Sequence, residues 1–344
     1  MMRVVLGQTQ DIDGEFLSFA KQLGLDGVQV NTPRLPGDDV WDYADIAGLV
    51  EQCARQGLRL EAIEGIPLRF YNKAMRGLPG RDEQIANVAK IIRHLGQAGI
   101  RYLGYNFMPL SVWRTARSPS GRGGASITSF DAGLVAQASR DGTLLISRRD
   151  LTSEHDSFVK AEASPQGNVC RAEDLWENYR YFATALAPVA EEAGVVCALH
   201  PDDPPVGSLG GFPRIFTTPE SLDRAMSIVD SPFWQVLLCL GTVSEMGGED
   251  AVLESIRLLG RRNSIAYVHF RDVKGSVPRF EECFLGEGNF NPTRVMAALQ
   301  RAGFDGFVMD DHVPAVLNDT SYHHRARAYA VGYLQGLIAG TENR

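Results

Sequence analysis

The residues of this 344-residue chain best suited to chemistry sit where short apolar runs end. Val195-Val196-Cys197-Ala198-Leu199 runs into His200, and Gln235-Val236-Leu237-Leu238 runs into Cys239. Ile265-Ala266-Tyr267-Val268 runs into His269, and Gly306-Phe307-Val308-Met309 runs into Asp310, Asp311 and His312. Runs of this length and composition read as buried strands. Imidazole, thiolate and carboxylate together suit iron, zinc or manganese better than magnesium. A hydrogen bond explains one histidine at a strand end, and packing explains one buried cysteine. Neither explains polar ends on successive strands. Parallel barrels point such ends at one common space. The pattern therefore predicts a metal-dependent enzyme, with His200, Cys239, His269 and an aspartate of the Asp310-Asp311 pair around the cation.

The elements needed to position that set are legible along the chain. Apolar runs at residues 3–8, 28–31, 58–64 and 102–107 precede the four named above. Helical patterns at 12–23, 43–56, 81–98, 172–193, 219–229, 251–259, 292–302 and 321–339 alternate with them. Glycines such as Gly24, Gly57 and Gly99 stand where helices stop. Eight strands, each followed by a helix, predict one α/β domain over 1–344, a (β/α)8 TIM barrel. The irregularity is a long insertion after the fourth strand, residues 114–170. It opens on Ser118-Pro119-Ser120-Gly121-Arg122-Gly123-Gly124. A loop this long in a compact domain is usually functional. It leaves from the catalytic edge and reads as a lid, or equally as a solvated insertion or an arm of a homo-oligomer.

Composition narrows the partners. The net charge is −8, whereas a nucleic-acid surface needs a basic stripe. A polybasic membrane contact is disfavoured for the same reason, and no apolar run reaches spanning length. Five cysteines without framework spacing fit a reducing compartment. No leader pattern opens the chain, so a cytoplasmic location is expected. Past His200, the segment Pro201-Asp202-Asp203-Pro204-Pro205 makes a stiff turn able to hold ligands in place. Arg214, after Phe212-Pro213, offers a fork for a substrate carboxylate.

These segments resemble a known family. Tyr105-Asn106-Phe107-Met108-Pro109, Trp113-Arg114-Thr115, His200 to Pro205, Phe212-Pro213-Arg214, Cys239-Leu240-Gly241-Thr242, His269-Phe270-Arg271, Asp311-His312, Ser321-Tyr322 and the block from Gly332 to Leu337 look like mannonate dehydratase. The resemblance implies a TIM barrel of the xylose-isomerase type. It implies loss of water from D-mannonate, giving 2-keto-3-deoxy-D-gluconate, with manganese or ferrous iron; ligand chemistry also admits zinc. Its metal ligands fall on His200, Cys239, His269 and Asp311, and its catalytic tyrosine on Tyr322. Asp311, Tyr322 and His312 are then the candidates for proton transfer, and Asn106, Trp113, Arg114, Asp202 and Arg214 those for substrate binding. Two motifs depart. The family reads Arg-Pro-Asp-His-Gly where this chain reads Met309-Asp310-Asp311-His312-Val313, and Val112-Trp113-Arg114-Thr115 lacks an acid and one spacer. A related aldonic acid is therefore an alternative substrate. The competing readings are a metal-dependent sugar isomerase, epimerase or other lyase, and a binding protein without turnover.

Overall fold

The computed structural model describes residues 2–110, 112–140 and 170–342. Its strands, in chain order, are β1 (Arg3–Val5), β2 (Gly27–Asn31), β3 (Arg59–Glu64), β4 (Tyr102–Tyr105), β5 (Ala116–Ser118), β6 (Ile127–Asp131), β7 (Val196–Leu199), β8 (Ser208–Leu209), β9 (Phe212–Pro213), β10 (Trp234–Cys239), β11 (Ile265–His269), β12 (Val273–Ser276), β13 (Arg279–Glu282) and β14 (Phe307–Met309). Eight of them form one parallel sheet in the order β1-β14-β11-β10-β7-β4-β3-β2. Its two ends meet: Leu6 bridges Val28, and the Gln29 amide donates to the Leu6 carbonyl at 2.8 Å. The sheet is thus a barrel, as the strand–helix rhythm predicts.

Side-chain alternation along β-strands explains the two core layers. Val5, Ala62, Tyr102, Val196, Ala198, Leu237, Tyr267 and Phe307 fill the interior, with Tyr267 stacked on Phe307 at 4.7 Å. The opposite faces of the strands pack against the helices through residues such as Val30, Leu103, Leu199, Val236 and Val308. Local chemistry starts the helices: Asp13 accepts from the Phe16 amide, Thr218 precedes Pro219, and Asn291 precedes Pro292. Gly194, with φ 68°, ends the helix Ala172–Ala193.

Among the differences from expectation, two bear on the site, and the last helix begins at His324, which leaves Tyr322 just before it. The helix read at 251–259 spans Leu240–Arg261, interrupted at Gly247 and Gly248. Those glycines hide its first half from a periodicity search, because the helical phase breaks there. The hairpin β12–β13, between β11 and the next helix, was not expected at all. It joins the described part of the insertion in a four-stranded antiparallel sheet, β12-β13-β6-β5. Leu110, Trp113, Phe130, Leu209, Phe212, Val273 and Phe280 form a separate small core there. All of these residues follow C-terminal ends of barrel strands, so the small core caps the mouth. Residues 141–169 of the expected lid lie outside the described residues.

Candidate active site and metal centre

Strand register brings the predicted ligands together. Cys239 and His269 are direct partners across β10 and β11, and Met309, two residues before Asp311, is the partner of His269 on β14. The His200 amide donates to the Tyr105 carbonyl at 2.9 Å, which fixes the end of β7. His200, Cys239 and His269 each offer one ligand atom, and these atoms lie within 4.8 Å of one another. Asp311 Oδ2 is 3.7 Å from Cys239 Sγ and 3.7 Å from His269 Nδ1. All four side chains are buried.

Each imidazole is oriented by its second nitrogen. His200 Nδ1 lies 2.6 Å from the Pro201 carbonyl, an acceptor, so in the neutral ring Nδ1 carries the proton and Nε2 is the candidate donor to a metal. His269 Nε2 donates to Glu64 Oε2 at 2.9 Å. Its Nδ1 is buried without a hydrogen-bond partner and offers a lone pair only when the ring is neutral. Carboxylate-backed histidines of this kind are the usual arrangement at metal sites. Burial opposes ionisation of the Cys239 thiol, yet Arg271 and the two imidazoles bring its pKa down to about 5. Burial disfavours a charged His269, but Glu64 and Asp311 outweigh it and push its pKa well up. Without a cation the cluster therefore balances a thiolate and a carboxylate against a protonated His269, and a bound cation would take the place of the His269 Nδ1 proton. These residues fit a divalent cation with nitrogen, sulfur and oxygen donors.

A buried ion network stands behind the ligands. Arg271 bonds Asp311 at 2.6 Å, Asp203 at 2.5 Å, Glu245 at 3.0 Å and Glu282 at 3.2 Å. Arg114 pairs with the same Asp203, with Glu245 at 3.2 Å and with Glu282 at 2.8 Å. His312 Nδ1 lies 2.9 Å from Glu282 Oε1. Burial works against the charge of Asp203 and Glu282, but the two guanidiniums and His312 hold both far below the ordinary carboxylate range. Glu245 goes the other way: burial and the neighbouring Asp203 raise its pKa well above normal. Asp311, despite burial, is held well below normal by His312, His269 and Arg271. It stays an anion.

The remaining predicted residues lie on segments that follow the C-terminal ends of barrel strands. The Tyr322 hydroxyl donates to the Gly7 carbonyl at 2.5 Å, just past β1, and its ring packs on Phe16. Asn106 Oδ1, Trp113 Nε1 and Asp202 Oδ1 are buried without hydrogen-bond partners. Asp202 Oδ2 accepts from the Ile215 and Phe216 amides and so ties the loop after β7 to the segment after β9. Arg214 Nη1 reaches Met108 Sδ and the Asp203 carbonyl. Arg114 is immersed in the ion network. Sequence reasoning missed Glu64, although it too ends an apolar strand. Arg271 was visible only as part of a motif. Glu245 and Glu282 gave no signal, because each reaches the site from an element that was not expected.

Comparison with known proteins places these features in a family. The family model described as D-mannonate dehydratase (UxuA) matches residues 6–344. The chain belongs to the mannonate dehydratase family. It is 30% identical over 345 residues to mannonate dehydratase 2 of Halalkalibacterium halodurans, covering 98% of each chain. It is 32% identical over 340 residues to the mannonate dehydratase of Thermotoga maritima, covering 91% of this chain and 90% of that one. The solved structure of mannonate dehydratase from Streptococcus suis serotype2 superposes with a TM-score of 0.84 at 27% identity, covering 100% and 95% of the two chains. D-psicose 3-epimerase from Clostridium cellulolyticum H10, at 14% identity and a TM-score of 0.61, covering 98% of this chain and 99% of that one, shares the fold. Among the described residues of this mannonate dehydratase family member, no helix is long and apolar enough to cross a membrane.

Proposed function

We propose that this chain is a hydro-lyase that removes water from a sugar acid, D-mannonate or a related aldonic acid, to give a 2-keto-3-deoxy acid. Its metal is manganese or ferrous iron, held by His200, Cys239, His269 and Asp311. The observation that carries the reading is the buried three-residue ligand cluster at the barrel mouth, in a chain matched along its length by the mannonate dehydratase family. A bound divalent cation supplies Lewis-acid stabilisation of the negative charge that develops next to the substrate carboxylate.

The residues divide the remaining work. Loss of water breaks the C2–H bond and the C3–O bond, so one group takes the C2 proton and another gives a proton to the departing hydroxyl. Tyr322 and His312 serve as these groups. Asp311, kept anionic by Arg271 and its histidine neighbours, serves as ligand and local charge. Glu282 orients His312 through its Nδ1 contact. The partnerless buried atoms of Asn106, Trp113 and Asp202 are suited to a polyol, whose hydroxyls both donate and accept. Arg214 takes the substrate carboxylate. Arg114 acts indirectly, by holding Asp203 and Glu282 in place.

The test is a panel of C5 and C6 aldonic acids incubated with metal-loaded protein and assayed for 2-keto acids. Release of a 2-keto-3-deoxy acid from at least one substrate is expected. Sugar interconversion with no loss of water would instead assign an isomerase or epimerase. Tight binding with no product would assign a binding protein.

A further inference from the structure

Asp311 and Tyr322 must work as a unit if one is a ligand and the other a proton-transfer group, yet no strand or helix joins them. The intervening chain is irregular. It touches the rest of the fold through the His312–Glu282 contact and a bridge from Ala315 to Ser126, and its Leu317 is 83% exposed. What spans the gap is Arg327, in the helix His324–Glu342 and only 1% exposed. Its Nη1 pairs with Asp310 Oδ2 at 2.5 Å and lies 3.3 Å from the Asp311 carbonyl. Its Nε donates to the Tyr322 carbonyl at 3.0 Å, and its guanidinium lies 4.7 Å from the centroid of the Tyr322 ring.

From this geometry we infer that Arg327, anchored on Asp310, is a positioning residue that sets the Tyr322 ring relative to the metal ligand Asp311. The inference rests on the dehydratase reading for the roles of those two residues, but the contacts themselves do not. A planar, rigid fork suits the task. Several N–H directions are fixed at once, so the Asp310 carboxylate, the Asp311 carbonyl and the Tyr322 carbonyl are held at set angles. A lysine would keep the charge and lose the angles. Among its hydrogen bonds and ion pairs, Arg327 reaches no ligand atom of His200, Cys239 or His269, and it touches Asp311 at the backbone carbonyl, not at the carboxylate. Its loss should therefore move Tyr322 without emptying the metal site.

The experiment uses the full chain with Arg327→Lys and, as a milder cut at the other end of the pair, Asp310→Asn. Four quantities are compared with wild type: melting temperature, affinity for manganese, kcat and KM on the acid found active, and the ¹⁹F resonance of Tyr322 in 3-fluorotyrosine-labelled protein. That resonance is assigned by its absence in Tyr322→Phe. The expected result is a folded variant with a shifted Tyr322 resonance and manganese affinity within about threefold of wild type. Its kcat falls about tenfold to hundredfold, the scale of a misplacement near one ångström, while KM changes little. Should Arg327→Lys fail to fold, Asp310→Asn carries the same expectation. An unmoved Tyr322 resonance in a folded variant overturns the inference, as does a wild-type kcat or a fall in kcat that merely follows lost manganese. If wild type turns over no aldonic acid, the dehydratase reading fails, and the ¹⁹F resonance alone decides whether Arg327 positions Tyr322.

Discussion

His269 is oriented by Glu64, which accepts from Nε2 and leaves Nδ1 facing the other candidate ligands. Glu64→Gln offers Nε2 a weaker, neutral acceptor. Removal of such a backing carboxylate typically costs about tenfold to hundredfold in metal affinity. Competition against a chelator should show this loss, and unchanged affinity would remove Glu64 from the site. His200→Ala and Asp311→Ala should each abolish turnover while leaving the circular dichroism spectrum intact, because barrel stability resides below the catalytic face. Normal turnover after chelation and metal readdition would contradict the ligand assignment. Met309 raises a question of specificity. It is fully buried, and its terminal methyl lies close against Gly7. Its thioether cannot make the ionic contact of the arginine expected there. Such a charged hydrogen bond is worth about 1.5–3 kcal/mol, roughly tenfold to hundredfold in efficiency. D-Mannonate should accordingly be a poor substrate, with kcat/KM below about 10⁴ M⁻¹s⁻¹. A higher value would show that the substitution is neutral.

Elements set the ion network through close approach. Gly241, in the first turn of the helix Leu240–Arg261, lies under Arg271; a Cβ there would sit 2.4 Å from Arg271 Cγ and 2.7 Å from Nε. Gly241→Ala must displace Arg271, and with it the contact to Asp311. Overpacking of this kind costs about 1–3 kcal/mol, so a lower melting temperature and strongly reduced turnover are expected together. Wild-type values of both would mean that Arg271 shifts freely. The cap over the mouth makes a different prediction. Phe130 and Phe280 stack at 5.5 Å between β6 and β13, in a small core separate from the barrel. Phe280→Ala should loosen the cap locally. Amide exchange should quicken in residues 116–131 and 273–282 and stay unchanged in β10 and β11. Uniform quickening would show instead that cap and barrel unfold as one unit.

Over the whole molecule, folding and metal binding are coupled. The unfolded chain has no preformed site, so the cation stabilises the folded state by about 2.7 kcal/mol at a hundred times Kd. Chelation should lower the melting temperature by several degrees, and readdition should restore it. An unaltered melting curve, with the metal shown to have left, would count against a buried four-ligand site.

The sequence by itself determined the barrel, because alternating strand and helix periods and glycine stops are local signals. It also marked out the candidate ligands, because imidazole, thiolate and carboxylate at the ends of apolar runs are conspicuous there. Parallel topology alone then required those ends to converge. Only the tertiary structure decided how the site is held. Glu64 reaches His269 from a strand across the barrel mouth, and Glu245 lies in a half-helix masked by Gly247 and Gly248. Glu282 arrives on a hairpin with no strong alternation, and Arg327 meets Asp310 from the last helix. Such partners are far apart in the chain and common on any surface. Nothing in the type or spacing of a glutamate or arginine says which will be buried against which; strand register and helix packing settle it.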